Sequence, residues 1–214
     1  MTRVLLTGFA PFDGESTNPS WQAVRAAVAE PPPGIAASAV ELPCVYGASM
    51  AVLRAAIEET RPAVVICVGQ AGGRPDITVE RIAVNLDDAR IPDAAGAEPI
   101  DEPIVPGGPA AYFSTLPVKA CVAAVRAAGL PASVSHTAGT FVCNHVFYGL
   151  SHLIATELPG VRGGFVHVPY APEQVTARAL PSLPADAVAR ALREIAITAA
   201  HTDTDIRVVG GATH

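Results

Sequence analysis

Residues 63–69 read AVVICVG, a run with no polar side chain to turn toward water. An extended segment of this kind is stable where both faces of its sheet are covered, as in a parallel sheet between layers of helices. The rest of the chain fits that frame. RVLLTG (3–8) is another apolar run ending in glycine, IAASAVELPC (35–44) reads as a second strand, and GGFVHVPY (163–170) as a later one. Between these runs lie alanine-rich stretches with helical spacing. One opens at Asn18-Pro19, with Asn as N-cap and Pro in the first helical position, and runs to about residue 29. Others cover 47–60, closed by Pro62, then 117–129, stopped by Gly129, then 142–158 and 184–201. ASVSHTAG (132–139) reads as a strand and turn, and 77–91 alternates as strands do. Residues 92–110, rich in Pro, Gly and acidic side chains, read as a long surface loop. Repeated strand-then-helix order predicts a three-layer α/β domain, mostly parallel, spanning 1–214 without a linker.

The make-up of the chain narrows its partners. Its 214 residues are 50% hydrophobic and carry a net charge of −6, with no Lys/Arg block. A nucleic-acid partner needs a basic stripe to neutralise phosphates, so none is expected. No stretch approaches the roughly 20 apolar residues of a membrane span, and the apolar run before Gly8 is too short for a secretory leader. A cytoplasmic protein with no membrane association is expected. Cys44, Cys67, Cys121 and Cys143 are widely separated, with neither CxxC nor zinc-ligand spacing, so no metal and no cofactor is called for. In a reducing compartment all four stay thiols.

A thiol that does chemistry needs a base to take its proton and a group to fix that base. Cys143 follows a strand, Ala138-Gly139 and a turn, and opens a helix. Free N–H groups and the positive dipole end there lower a thiol's pKa and can receive an oxyanion. Cysteines in apolar segments are more often core residues, which suits Cys67 and Cys121. Cys44, at a strand end, can line a pocket but shows no partner. Six histidines compete for the role of base. His201 and His214 lie near the C-terminus, His145 and His152 follow Cys143 on its helix with one or both facing water, and His136 precedes the turn. His167 sits near the C-terminal end of a predicted buried strand, where α/β sheets place their sites, as base or as a satisfied core residue. Glu80, within ITVERIAVN, needs a partner if buried. Arg81 is the ordinary candidate, although neighbours on a strand point to opposite faces; an imidazolium is the functional one.

Four blocks of the chain resemble the pyroglutamyl peptidase type I family, also called pyrrolidone-carboxylate peptidases. They are LLTGFAPFDGESTNPSW (5–21), GQAGGRPDITVERIAVN (69–85), SHTAGTFVCNHVFYGL (135–150) and GFVHVPYAPEQ (164–174). The resemblance implies an α/β/α sandwich with a twisted mixed sheet, assembled as a homotetramer. It implies Cys143 as nucleophile, His167 as general base then acid, and Glu80 as the group orienting His167. It also places Phe9, Phe12 and Phe141 around a lactam ring with Val142 nearby, Gln70 at the substrate and Arg90 near the oxyanion. The alternative for Arg90 is an ion pair with Asp87 or Asp88. Thr137 and Phe141 stand where many relatives have Ser and Tyr. The implied substrates are small peptides beginning with pyroglutamate, a neutral lactam that asks for apolar walls and a few directed hydrogen bonds. Such walls exclude a charged α-amine.

Two other readings share the frame. A nucleoside phosphorylase-like transferase would need a phosphate cradle, and GQAGGR (69–74) is glycine-rich with an arginine but lacks P-loop or dinucleotide spacing. A non-catalytic homologue would not need Glu80, Cys143 and His167 together.

Overall fold

A computed structural model describes residues 1–211. Eight strands and five α-helices follow in the order β1 (Thr2–Phe9), α1 (Pro19–Ala29), β2 (Ile35–Leu42), α2 (Ala48–Thr60), β3 (Val64–Gln70), β4 (Ile77–Glu80), β5 (Ile82–Val84), β6 (Ala111–Phe113), α3 (Val118–Ala127), β7 (Ala132–Ser135), α4 (Val142–Thr156), β8 (Arg162–Val168) and α5 (Ala185–His201), with a 3-10 turn at Pro172–Val175. Local chemistry sets several ends. The Asn18 side chain accepts a hydrogen bond from Ser20 N–H and Pro19 opens α1. Arg61 adopts the left-handed conformation that ends α2 just before Pro62.

Six strands form the main sheet in the order β2-β1-β3-β8-β4-β7. Strands β2, β1, β3 and β8 are mutually parallel; β4 runs antiparallel to β8 and parallel to β7. The sheet is therefore mixed but mostly parallel. Alternation along each strand divides the core into two layers. Val4, Leu6, Val64, Ile66, Val68, Ile77, Val79 and Val166 pack with α1, α3 and α5. Leu5, Val65, Cys67 and Phe165 pack on the other face with α2 and α4. This is a three-layer α/β/α sandwich, as the doubly apolar strand requires. Among the described residues no helix is long and apolar enough to cross a membrane.

The segment 77–91 departs from its expected form. It breaks at Arg81 into β4, inside the main sheet, and β5, which pairs only with β6 in a two-stranded ribbon. Arg81 itself turns away to the C-terminal segment and donates to Gly210 O at 2.9 Å. Strand β6 lies just beyond the expected loop 92–110. Three residues, two half-buried and one exposed, leave too little pattern to announce it.

Candidate active site

The two-residue period that builds the core also sorts the functional side chains. Ile77 and Val79 face one layer of helices, so Thr78 and Glu80 face the other, which holds α2 and α4. His167 alternates with Val166 and Val168 in the same way and joins Phe165 on that face. Strands β4 and β8 are neighbours, with Thr78 in register with His167. Glu80 and His167 thereby meet across 87 residues of sequence, with Glu80 Oε1 2.7 Å from His167 Nδ1.

Glu80 is fully buried, and burial pushes its carboxyl up. The hydrogen bond and charge of His167, with Ser135 and Arg74, pull harder and hold it below the usual carboxylate range. An ionised carboxylate only accepts, so the proton of the pair sits on Nδ1, and Nε2 keeps its lone pair. Burial pushes His167 the opposite way, to below its ordinary value, and Glu80 offsets this in part. The resting imidazole is neutral.

The buried charge of Glu80 is met by Arg74, not by Arg81. Arg74 reaches Glu80 Oε1 at 2.6 Å, Thr78 Oγ1 at 2.6 Å and Thr137 O at 2.9 Å. With its guanidinium committed to protein groups, the GQAGGR turn has no free arginine to cradle a phosphate. Sequence reasoning missed this pair; the signal was the arginine at the end of the glycine-rich turn that leads into β4.

Cys143 occupies the second position of α4, on a half-buried turn. The N-cap residue is Phe141, whose side chain makes no cap hydrogen bond, so the first N–H groups of the helix are left uncapped. The thiol lies over β3: a Cβ at Gly69 would come within 2.7 Å of Cys143 Sγ. Gly69 is the register partner of His167 across the β3–β8 pair. Thiol and imidazole line one cavity of about 190 Å³ with Phe9, Phe12, Asn18, Cys44, Gln70, Ala71, Ala138 and Phe141. Position alone predicts a thiol with lowered pKa; the structure corrects this. Burial, with Cys44 and Glu80 nearby, pushes the Cys143 thiol up, and Arg74 opposes it weakly. The resting thiol is protonated and needs a base when it attacks. Cys44, Cys67 and Cys121 are buried and also pushed up, each to about 12.

The remaining candidates divide between two cavities. Phe9, Phe12, Gln70 and Phe141 line the cavity of Cys143. Arg90 is exposed and lines an adjoining outer cavity of about 460 Å³, which shares Phe12, Gln70 and Phe141. Among the described residues Arg90 makes no ion pair with Asp87 or Asp88. Val142 is fully buried at the first position of α4 and packs in the core layer instead of lining either cavity.

The other histidines are accounted for. His145 is buried rather than facing water: its Nε2 accepts from Gly47 N–H at 3.1 Å and its Nδ1 is 2.8 Å from Asp87 Oδ2. His152 Nδ1 is 2.9 Å from the Tyr112 hydroxyl. His136 and His201 are exposed, and His214 lies outside the described residues.

A neutral imidazole anchored through Nδ1, with a thiol in its cavity on an α/β/α frame, places the molecule among the cysteine-type hydrolases. Comparison with known proteins narrows the class. The pyroglutamyl peptidase family profile matches residues 2–203, and the chain belongs to that family. It is 65% identical to the pyrrolidone-carboxylate peptidase of Streptomyces coelicolor, over the whole of both chains. Among solved structures it is similar to pyroglutamyl peptidase I from Bacillus amyloliquefaciens, with a TM-score of 0.95 at 50% identity, covering 97% of this chain and 99% of that one. The pyrrolidone carboxyl peptidase of Thermococcus litoralis superposes with a TM-score of 0.91 at 38% identity, covering 98% and 100%.

Proposed function

We propose that the protein hydrolyses the amide bond after an N-terminal pyroglutamyl residue, with Cys143 as nucleophile, His167 as general base and then acid, and Glu80 as the group that fixes His167. The observation that carries this reading is the 2.7 Å contact between Glu80 Oε1 and His167 Nδ1, which leaves Nε2 free on a ring that lines the same cavity as Cys143.

As the sulfur attacks the pyroglutamyl carbonyl carbon, the thiol proton passes to His167 Nε2. The carbonyl π electrons move to oxygen, and that charge is received by the uncapped N–H groups at the start of α4. His167 then gives the proton to the departing amine nitrogen, leaving a thioester on Cys143. Water, deprotonated by the same nitrogen, cleaves the thioester and returns the thiol. Because both partners begin neutral, proton transfer accompanies attack.

Size and lining support the substrate. Drug-sized ligands fill roughly 300–1,000 Å³, whereas the cavity at Cys143 has about 190 Å³, room for a single small ring. Phe9, Phe12 and Phe141 give it apolar walls, and no carboxylate is among its lining residues to pair with a free α-amine. The peptide beyond the scissile bond leaves through the outer cavity, past Arg90. The protein acts on small peptides, in the cytoplasm where its four cysteines stay reduced, and as a homo-oligomer, a homotetramer by family resemblance. Exposed Ile100 and Phe113 suit a subunit contact.

The purified protein should cleave a pyroglutamyl-arylamide and lose this activity on treatment with iodoacetamide. Cys143→Ala should fall to background while Cys67→Ala stays active. A Cys143→Ala protein with wild-type turnover overturns the mechanism. Phosphate-dependent cleavage of nucleosides without amidase activity would replace it with the transferase reading.

A further inference from the structure

Gln70 stands on the cavity wall with an amide that can present either its oxygen or its NH2 group. A fixed point two contacts away decides between them. Ala171 N–H, at the start of the 3-10 turn that follows β8, lies 2.9 Å from the side chain of Gln174, and a backbone N–H can only donate. The atom of Gln174 that meets it is therefore Oε1. The other end of the same amide is Nε2, which can only donate, and it lies 3.2 Å from Gln70 Oε1. Gln70 must meet it with oxygen. This leaves Gln70 Nε2 with no partner among the described residues, on a side chain that lines the cavity of Cys143 and His167. The chain of donors and acceptors runs one way, from the backbone outward.

The geometry points to Gln174 as a specificity-determining positioning residue that turns the Gln70 NH2 group toward the ligand, so that the wall selects a ring carrying a carbonyl. The inference rests on the lactam reading of the site. A pyroglutamyl ring offers a C=O acceptor to that donor. A prolyl ring of the same size offers none and leaves the amide unpaired, and a site built to hydrogen-bond a group discriminates strongly against ligands that lack it.

Gln174→Glu tests the polarity. The carboxylate still accepts from Ala171 N–H but turns an acceptor toward Gln70, whose amide then flips and presents its oxygen to the ring carbonyl. The expected result with a pyroglutamyl-arylamide is a KM increase of roughly 10- to 100-fold with kcat within about threefold, the pattern of lost ground-state binding. KI for 2-pyrrolidone should rise in parallel, while the rate of Cys143 alkylation by iodoacetamide stays within about twofold. Gln174→Met, which releases Gln70 without inverting it, should raise KM by about three- to tenfold on the same principle. In a Gln70→Ala background, Gln174→Glu should add less than about twofold. A KM within twofold of wild type in either folded Gln174 variant overturns the inference, as does an effect that persists undiminished without Gln70. A wild-type protein that leaves the arylamide uncut overturns the lactam reading, and this inference with it. An active wild type with indifferent Gln174 variants overturns the inference alone.

Discussion

Arg74 determines what happens when Glu80 is changed. Its guanidinium and the His167 ring share one carboxylate oxygen, Oε1, and a guanidinium can only donate. In Glu80→Gln the amide oxygen stays at that point, still facing Nδ1–H, and the correct tautomer survives. What goes is the negative charge. Residual activity follows, with kcat/KM expected to fall about 10- to 100-fold, less than the full loss of a general base. The charge of Glu80 also pulls the His167 pKa upward against burial. Without it the imidazole titrates lower still, so the acid limb of the kcat/KM profile should move to lower pH in the variant. In the wild type that limb already lies below the ordinary histidine value of 6.5, since burial prevails. Stability has the same sign. The unfolded chain takes up a proton on this histidine near 6.5 and the native state only at lower pH, so stability falls as pH drops below about 6.5. Glu80, held below 4.5, adds its own loss as pH falls below that value. Titrating kcat/KM of both proteins checks the shift, and an unmoved limb would remove Glu80 from the site's electrostatics. The sequence made Glu80 conspicuous as a carboxylate in an apolar strand. It did not reveal Arg74, because that partner arrives from a turn whose path the strand pattern does not contain. The sequence left open which of His145 and His152 faces water for a related reason: the partners that bury His145, Gly47 and Asp87, are 98 and 58 residues away.

At the scale of elements, the site depends on how closely α4 approaches β3. Gly69 permits the approach by having no side chain. A Cβ there would sit 2.7 Å from Cys143 Sγ and 2.9 Å from Phe165 Cζ. Gly8 does the same for β1 and α1, where a Cβ would lie 2.6 Å from Trp21 Cα. Both glycines come at or near the ends of apolar runs, so sequence reading takes them as strand stops; that they are contact points shows only when the helix is in place. Gly69→Ala forces the thiol or the Phe165 ring aside. Overpacking of this kind costs about 1–3 kcal/mol of stability, a loss a domain of this size tolerates. The misplaced nucleophile also costs about 100-fold in kcat/KM. Denaturant unfolding and arylamide turnover measured on one preparation separate the two effects, and wild-type turnover in Gly69→Ala would show that the sulfur does not work from that position. The break at Arg81 was only half legible. Glu80 and Arg81 set two charged side chains in succession and Ile82-Ala83-Val84 is apolar throughout, which interrupts the alternation; what the pattern does not carry is that β4 joins the main sheet and β5 a separate ribbon with β6.

Across the whole molecule the sheet separates two tasks. Cys143, His167 and Glu80 lie on the face covered by α2 and α4, whereas α1, α3 and α5 cover the other with an almost wholly apolar layer. The apolar run at 63–69 made the two layers legible, since β3 had to be covered twice. The assignment of chemistry to one layer was not legible, because it depends on β4 running antiparallel to β8, and an apolar strand does not show its direction. The division has a measurable consequence in α3. Its N-cap residue, Pro117, makes no side-chain cap bond. The carboxylate of Asp205, arriving from the C-terminal segment, instead accepts from Lys119 N–H and Ala120 N–H, each at 2.9 Å. A negative charge at a helix start is favourable as well as satisfying two donors. Removing such a cap costs about 0.5–2 kcal/mol, and a loss of 1 kcal/mol shifts Tm by about 2–4 °C in a protein of this size. Asp205→Ala should therefore melt a few degrees lower with unchanged kcat and KM, because α3 and the thiol lie on opposite faces of the sheet. A loss of turnover at a temperature where the variant is fully folded would mean that the two layers are coupled through the sheet, and would count against the separation of tasks.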